Sequence, residues 1–221
     1  MYRPEDTLIE TLKKIYERDT ICRLEVINKF TLRAYVSDSI TKIERGAFND
    51  CLALKSVMIP NSIEEIGYSA FGNCTSLEEI TIPDSVTRIE HHAFDSCSSL
   101  RSIAIPDSVT EIGNFAFGFC KLLRDVKLSN SIEKISFGSF FMCSSLRNIT
   151  IPDSVIEIGR SAFSECSSLQ KIYCTEEQTQ MLIDSGLPDQ TRIIIKEKIQ
   201  EQNKGKSLKK VFAQKKQSKD N

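Results

Sequence analysis

The chain has 221 residues, 40% of them hydrophobic and 27% charged, which suits one substantial globular domain and excludes two ordinary domains with linkers. Its net charge of −1 gives the molecule as a whole no electrostatic reason to bind nucleic acid or a membrane. That average hides an asymmetry. From Lys196 to the end there are nine lysines against three acids, so the tail carries +6 and leaves −7 on the 195 residues before it.

The opening residues, Met1 to Asp6, hold no apolar run after a basic segment, and no apolar stretch of the chain is long enough to span a bilayer. The expectation is a cytoplasmic protein, with the cell surface as the alternative. Thr7-x-x-Glu10 has the form of a capping box, and Leu8, Ile9, Leu12, Ile15 and Tyr16 follow on one helical face. Residues 21–27 and 32–36 have the composition of strands. Residues 1–36 therefore form an N-terminal helix with capping strands.

A strict repeat follows. Steps of 23 from Ser39 reach Ser62, Ser85, Ser108, Ser131 and Ser154 without an insertion. The same step joins Phe48, Phe71, Phe94, Phe117, Phe140 and Phe163. It also joins Cys51 to Cys166 and Leu54 to Leu169, six members each. In the unit beginning at Leu77, Ile80 and Ile82 alternate with polar residues as in a half-buried strand, and Pro83 ends the strand because it has no N–H to donate. Val86 and Ile89 turn inward on the next side. Ala93, Phe94 and Cys97 suit a short helical turn with one apolar face. One such unit cannot bury its apolar side alone, so stacked neighbours must supply the core.

The run L-x-x-I-x-I resembles the leucine-rich-repeat consensus, and the fuller pattern I-P-D-S-V-T-x-I-x-x-x-A-F-x-x-C-x-x-L is similar to the BspA-like class, over about residues 37–174. The resemblance implies an α/β fold: a right-handed leucine-rich-repeat solenoid of about six stacked 23-residue coils, with short parallel strands, short helical turns and terminal caps. It also implies a scaffold that binds proteins, with adhesion at a cell surface as a second role. Ser85 and its equivalents stand where the usual consensus has Asn or Cys, so the curvature of familiar horseshoes does not transfer.

Past Cys174, Thr175-x-x-Gln178 again has the form of a capping box; Met181, Leu182 and Ile183 follow, and Gly186 and Pro188 close the helix. Residues 192–196 read as a last strand, so 175–197 is a C-terminal cap. Residues 198–221 form a basic tail with the composition of a disordered end. Its only apolar cluster is Leu208, Val211 and Phe212, and nucleic acid or anionic membrane would be contacted through it alone.

The cysteine column has no C-x₂-C spacing and reads as a ladder of small buried thiols; Cys22 and Cys174 lie outside it and are the more reactive pair by position. The phenylalanine column reads as a core spine. His91 and His92 correspond to Tyr68-Ser69 and Asn114-Phe115 in neighbouring units, a variable position rather than a metal or catalytic one. Gly205-Lys206-Ser207 resembles a fragment of a phosphate-binding loop, but Gln200 stands where the first glycine belongs. No catalytic residue, metal site, cofactor or small-molecule substrate is expected, and a monomer is. One column alternates in sign at every step: Lys42, Glu65, Arg88, Glu111, Lys134, Glu157. It would pair opposite charges across strands and penalise a slip in register.

The outward strand positions line one continuous face. Lys55, Glu78, Arg101, Arg124 and Arg147 form its first column. Glu79, Asp125 and Asn148 belong to the second, and Met58 and Lys127 to the third. These ten residues are the candidate partner-binding face, with the three arginines suited to carboxylate recognition.

Overall fold

The computed structural model describes residues 22–28 and 31–196. The expected N-terminal helix and the basic tail lie outside those residues. The described chain is a parallel-strand solenoid of about seven 23-residue turns with little helix. The added turn begins at the degenerate strand β2 (Thr31–Val36), which follows β1 (Cys22–Asn28).

Two rows of strands run up the stack. The first, on the L-x-x-I segment of each coil, contains β4 (Leu54–Met58), β6 (Glu79–Ile80), β8 (Ser102–Ala104), β10 (Asp125–Lys127), β12 (Asn148–Thr150) and β14 (Lys171–Cys174). The second holds two-residue strands: β3 (Lys42–Ile43), β5 (Glu65–Ile66), β7 (Arg88–Ile89), β9 (Glu111–Ile112), β11 (Lys134–Ile135) and β13 (Glu157–Ile158). The second row is one unbroken six-stranded sheet. The first is divided into β1-β2-β4-β6, β8-β10 and β12-β14-β15, where β15 is Arg192–Ile195. From β4 to β14 the paired strands follow the 23-residue step, as in Ser56↔Glu79 and Val57↔Ile80, while the terminal β15 pairs with β14 at a step of 21, as in Lys171↔Arg192.

The third side of each coil holds Ala-Phe and Cys, where a short helical turn was expected. It is built instead as successive tight turns. The N–H groups of Ala70, Gly72 and Cys74 bond three residues back, to Gly67, Ser69 and Phe71. Those of Ser69, Phe71 and Asn73 cross to the next coil, to His91 (3.1 Å), Ala93 (2.8 Å) and Asp95 (2.7 Å). A helix would spend all of these donors internally. Giving every second one to the neighbour converts the corner into a third ladder. This requires two left-handed residues per coil, four apart, as at His92 (φ 56°) and Ser96 (φ 61°), or Phe115 (φ 51°) and Phe119 (φ 57°).

The core is the set of repeated columns. The six spine phenylalanines have no exposed surface, and their rings stack with centroids 5.1–5.7 Å apart and planes within 2–7°. The ladder cysteines are likewise buried, and the thiols of Cys74, Cys97, Cys120, Cys143 and Cys166 donate to a backbone carbonyl one coil back, as from Cys97 Sγ to Phe71 O (3.2 Å) and from Cys143 Sγ to Phe117 O (3.2 Å). The serine column has a comparable use. The Oγ of Ser85 donates to Ile63 O and that of Ser154 to Ile132 O, both at 2.6 Å. Ser85, Ser108 and Ser154 thus bridge coils at the position where the familiar consensus keeps Asn or Cys, whereas the buried Ser62 Oγ has no such partner.

The C-terminal end replaces a missing coil with side chains. Buried Gln178 donates from Nε2 to Pro152 O (2.7 Å) and Val155 O (3.0 Å) and accepts the Thr175 N–H on Oε1 (3.1 Å). It supplies a partner to the Val155 carbonyl and a second one to that of Pro152, which also accepts the Val155 N–H (3.2 Å). Helix α1 (Thr179–Asp184) follows, Gly186 turns the chain at φ 76°, and β15 covers β14. At the other end β1 pairs antiparallel with β2 and occupies its open edge. Cys174 is buried with no exposed surface. That burial pushes its thiol up, opposed by a hydrogen bond from Thr179 and by Lys196, so the expected reactivity is corrected by its packing.

Candidate protein-binding face

Strand alternation puts Met58, Glu79, Asp125, Lys127 and Asn148 on one side of the first row. Lys55 lies one residue before that outward column, and Glu78, Arg101, Arg124 and Arg147 immediately precede β6, β8, β10 and β12, at the entry to the strands. Val57, Ile80, Ile103 and Ile149 point into the core, and the residues flanking them point out. Met58 is 59% exposed, the largest free apolar group on this face. Glu79, Arg101, Arg124, Asp125, Lys127, Arg147 and Asn148 are all exposed. Lys55 and Glu78 are half-buried and joined by an ion pair of 3.4 Å. Arg33 Nε donates to Ser56 Oγ (3.1 Å) at the N-terminal edge of the same face.

The two halves of this face differ electrostatically. The N-terminal half holds Lys55, Glu78 and Glu79. The C-terminal half holds Arg101, Arg124, Lys127, Arg147 and Lys171 around one acid, Asp125. Among the described residues, none of these five cations has a carboxylate within ion-pair distance.

The second sheet treats charge differently. Lys42 pairs with Glu65 at 3.0 Å, and Lys134 sits between Glu111 (3.8 Å) and Glu157 (3.3 Å). The hydrogen bond and charge of Glu65 raise the Lys42 ammonium above its ordinary range. The alternating ladder is thus present in part. Arg88 departs from it by folding back onto Glu90, two residues along its own coil.

The histidines are absorbed into the turn corner. His91 Nδ1 accepts the Asn114 N–H (2.8 Å), and Asn114 Oδ1 accepts the Phe137 N–H (3.1 Å). The His92 ring lies between Tyr68 (centroids 5.5 Å) and Phe115 (5.3 Å), with Nδ1 3.2 Å from Asp95 Oδ2. Burial raises the Asp95 carboxyl, and the His92 contact lowers it. Phe115 then meets Phe137 and Phe141, and Phe141 meets Phe119. This row of surface aromatics was missed in the sequence because its members fall in different columns. The available signal was four phenylalanines, at 115, 119, 137 and 141, outside the spine column and within 27 residues.

A concavity of about 800 Å³ lies beside β3 at the N-terminal end and is lined by Ile40, Lys42, Phe48 and Tyr68 among others. Among the described residues, no three His, Cys, Asp or Glu side chains converge as metal ligands, and no helix is long and apolar enough to cross a membrane.

A family model for the BspA-type leucine-rich-repeat region matches residues 27–124 and 99–186, with six copies of the repeat. The chain belongs to the BspA-type leucine-rich-repeat family. No curated protein matches it. Among solved structures it is similar to a leucine-rich cell surface protein of Faecalibacterium prausnitzii, at 26% identity and a TM-score of 0.50, covering 73% of this chain and 58% of that one. It is similar in fold to the Treponema pallidum leucine-rich-repeat protein, at 24% identity and a TM-score of 0.57, covering 77% of this chain and 96% of that one. It is also similar in fold to the pneumococcal vaccine antigen PcpA, at 24% identity and a TM-score of 0.61, covering 74% of this chain and 41% of that one. The BspA-type chain therefore spans little more than half of the F. prausnitzii protein's length.

Proposed function

We propose that this BspA-type chain is a non-enzymatic scaffold that binds a protein partner through the face of its first strand row. One observation carries the reading. The inward columns keep one residue type from coil to coil, whereas the outward columns change it, as from Lys55 through Glu78 to Arg101 and from Met58 through Thr81 to Lys127. Fixed inward columns make the stack. Variable outward ones are free to be shaped by a partner. The family's character as a repeat scaffold supports the absence of chemistry.

The test is affinity capture from the source cells with wild type, two strand-face variants and a control on the turn corner. The strand-face variants are M58D/E79K and R101E/R124E/R147E; the control is K121E. Loss of the same partner in either strand-face variant, with recovery by the control, is expected. Equal recovery by all four sinks the reading.

The working compartment under this reading is the cytoplasm. A second setting, adhesion at a cell surface, is favoured by the F. prausnitzii neighbour, a leucine-rich cell surface protein. Protease shaving of intact cells separates the two, since only a surface protein is lost. Attachment through residues 198–221 concerns a segment outside the described residues. Partner recovery that survives deletion of that segment excludes it.

A further inference from the structure

We propose that the C-terminal half of the strand face binds an acidic helical segment of the partner protein. The proposal rests on the strand-face reading above and names the chemistry of the partner.

The two strand rows give the argument. On the second sheet the sign of the charge alternates, and Lys42 and Lys134 find carboxylates on adjacent coils at 3.0–3.8 Å. The same fold, with the same 23-residue step, places like charges on adjacent coils of the first row: Arg101, Arg124 and Arg147, flanked by Lys127 and Lys171. Arg124 lies directly beside Arg101, its N–H bonded to the Arg101 carbonyl at 2.9 Å. Like charges set side by side at the entries to adjacent strands oppose the stacking of their coils. These cations are exposed, and among the described residues no ion pair offsets their repulsion; Asp125 is the one acid set among them. They stand on a body that is net acidic over its first 195 residues. A carboxylate-bearing partner would neutralise them, and the planar guanidinium can hold a carboxylate by two hydrogen bonds at once.

Spacing selects the form of the partner. Paired strands of this row lie about 4.7–4.9 Å apart, and the phenylalanine spine on another side of the coil repeats at 5.1–5.7 Å. Carboxylates on one face of a helix recur about every 5.4 Å, whereas same-side residues of an extended strand recur about every 6.6–6.8 Å. Over the two steps that join the three arginines a helix departs from the paired-strand spacing by about 1 Å, and an extended strand by roughly 4 Å. Length selects against a long polyanion. The patch spans four coils, about 16 Å or three helical turns. Beyond its N-terminal edge the same face carries Glu78 and Glu79, which would repel a nucleic acid or sulfated polysaccharide running past it.

The test uses the full chain and a fluorescent alanine-rich peptide of about 20 residues, with glutamates at alternating three- and four-residue steps, read by anisotropy at low salt. A scrambled peptide of the same composition, heparin and single-stranded DNA are the comparison probes. The patterned peptide is expected to bind about tenfold more tightly than the scrambled one. R101Q/R124Q/R147Q should lose about tenfold while its fold, checked by circular dichroism, is unchanged. K204Q/K206Q/K209Q/K210Q, in the basic tail, should lose little. Equal binding of the two peptides overturns the proposal. So does loss in the tail variant alone, or binding of heparin or DNA through the same arginines as tightly as the peptide. If the native partner is lost by M58D/E79K but kept by R101Q/R124Q/R147Q, the strand-face reading stands and the acidic helix falls.

Discussion

The cysteine ladder makes the stability of this chain depend on alkaline pH. Burial raises the thiols of Cys97, Cys120, Cys143, Cys166 and Cys174, with Cys166 reaching about 12. For Cys97 and Cys143 the neighbouring ladder thiols add to that rise. An unfolded cysteine ionises near ~8.5. Below that pH both states hold the proton, and the full stability is present. Above it the unfolded chain loses protons that the folded chain keeps, so stability falls as pH rises toward the folded values. Each thiol ionised only in the unfolded chain costs about 1.4 kcal/mol per pH unit. The four ladder thiols Cys97, Cys120, Cys143 and Cys166 together cost roughly 5 kcal/mol per unit above pH ~9, comparable to the whole stability of an ordinary domain, ~5–15 kcal/mol. Urea titrations by circular dichroism, under reducing conditions from about pH 7 to 10.5, should show a flat midpoint up to about pH 8 and a steep fall above ~9. Replacing Cys97 and Cys143 by Ala should lower the slope by about 2.7 kcal/mol per unit, whatever it does to stability at neutral pH. A midpoint that does not move by pH 10.5, or a slope unchanged in the double variant, refutes the reasoning.

Phe117 stacks on Phe94 at 5.2 Å and Phe140 at 5.5 Å with no exposed surface, so Phe117→Ala should cost ~3–5 kcal/mol in denaturant titration; a loss under ~1 kcal/mol would contradict the spine. On the second sheet, a double-mutant cycle on Lys134 and Glu157 should give a coupling of ~0.2–1 kcal/mol that fades with salt. The cycle on Arg88 and Glu111 should give none, because Arg88 turns to Glu90; the reverse pattern would show that the ladder runs through Arg88 after all.

The repeat, its core columns and the outward face were legible because each is written once per coil in a single residue type. Phe94 and Cys97 mean little alone; five more of each at a step of 23 leave one arrangement that buries them all. The turn corner was not legible, for a physical reason. Left-handed positions are usually marked by glycine, but this chain puts Phe115, Phe119, Met142 and Glu165 there. The inter-coil hydrogen bonds of the corner hold those residues in place, so the conformation belongs to the stack and not to the local sequence. The second sheet was legible only as a charge column and an inward isoleucine, since a strand of two residues is too short to show alternation. The division of the first row into three sheets has no counterpart in the sequence pattern.

These features explain how the molecule can tolerate an unpaired basic face. Like charges on adjacent coils oppose stacking by up to ~1 kcal/mol per pair, yet the first row is paired between β8 and β10, beside Arg101 and Arg124, and is divided between β6 and β8 and between β10 and β12. The coils are held elsewhere: by the continuous second sheet with its partly paired charges, by the corner ladder, and by serine and cysteine side chains reaching one coil back. Because those ladders do not depend on the outward residues of the first row, substitution there changes what the face attracts without dismantling the stack. A partner that neutralises Arg101 and Arg124 would also remove a repulsion, so binding and stability should rise together on this half of the face.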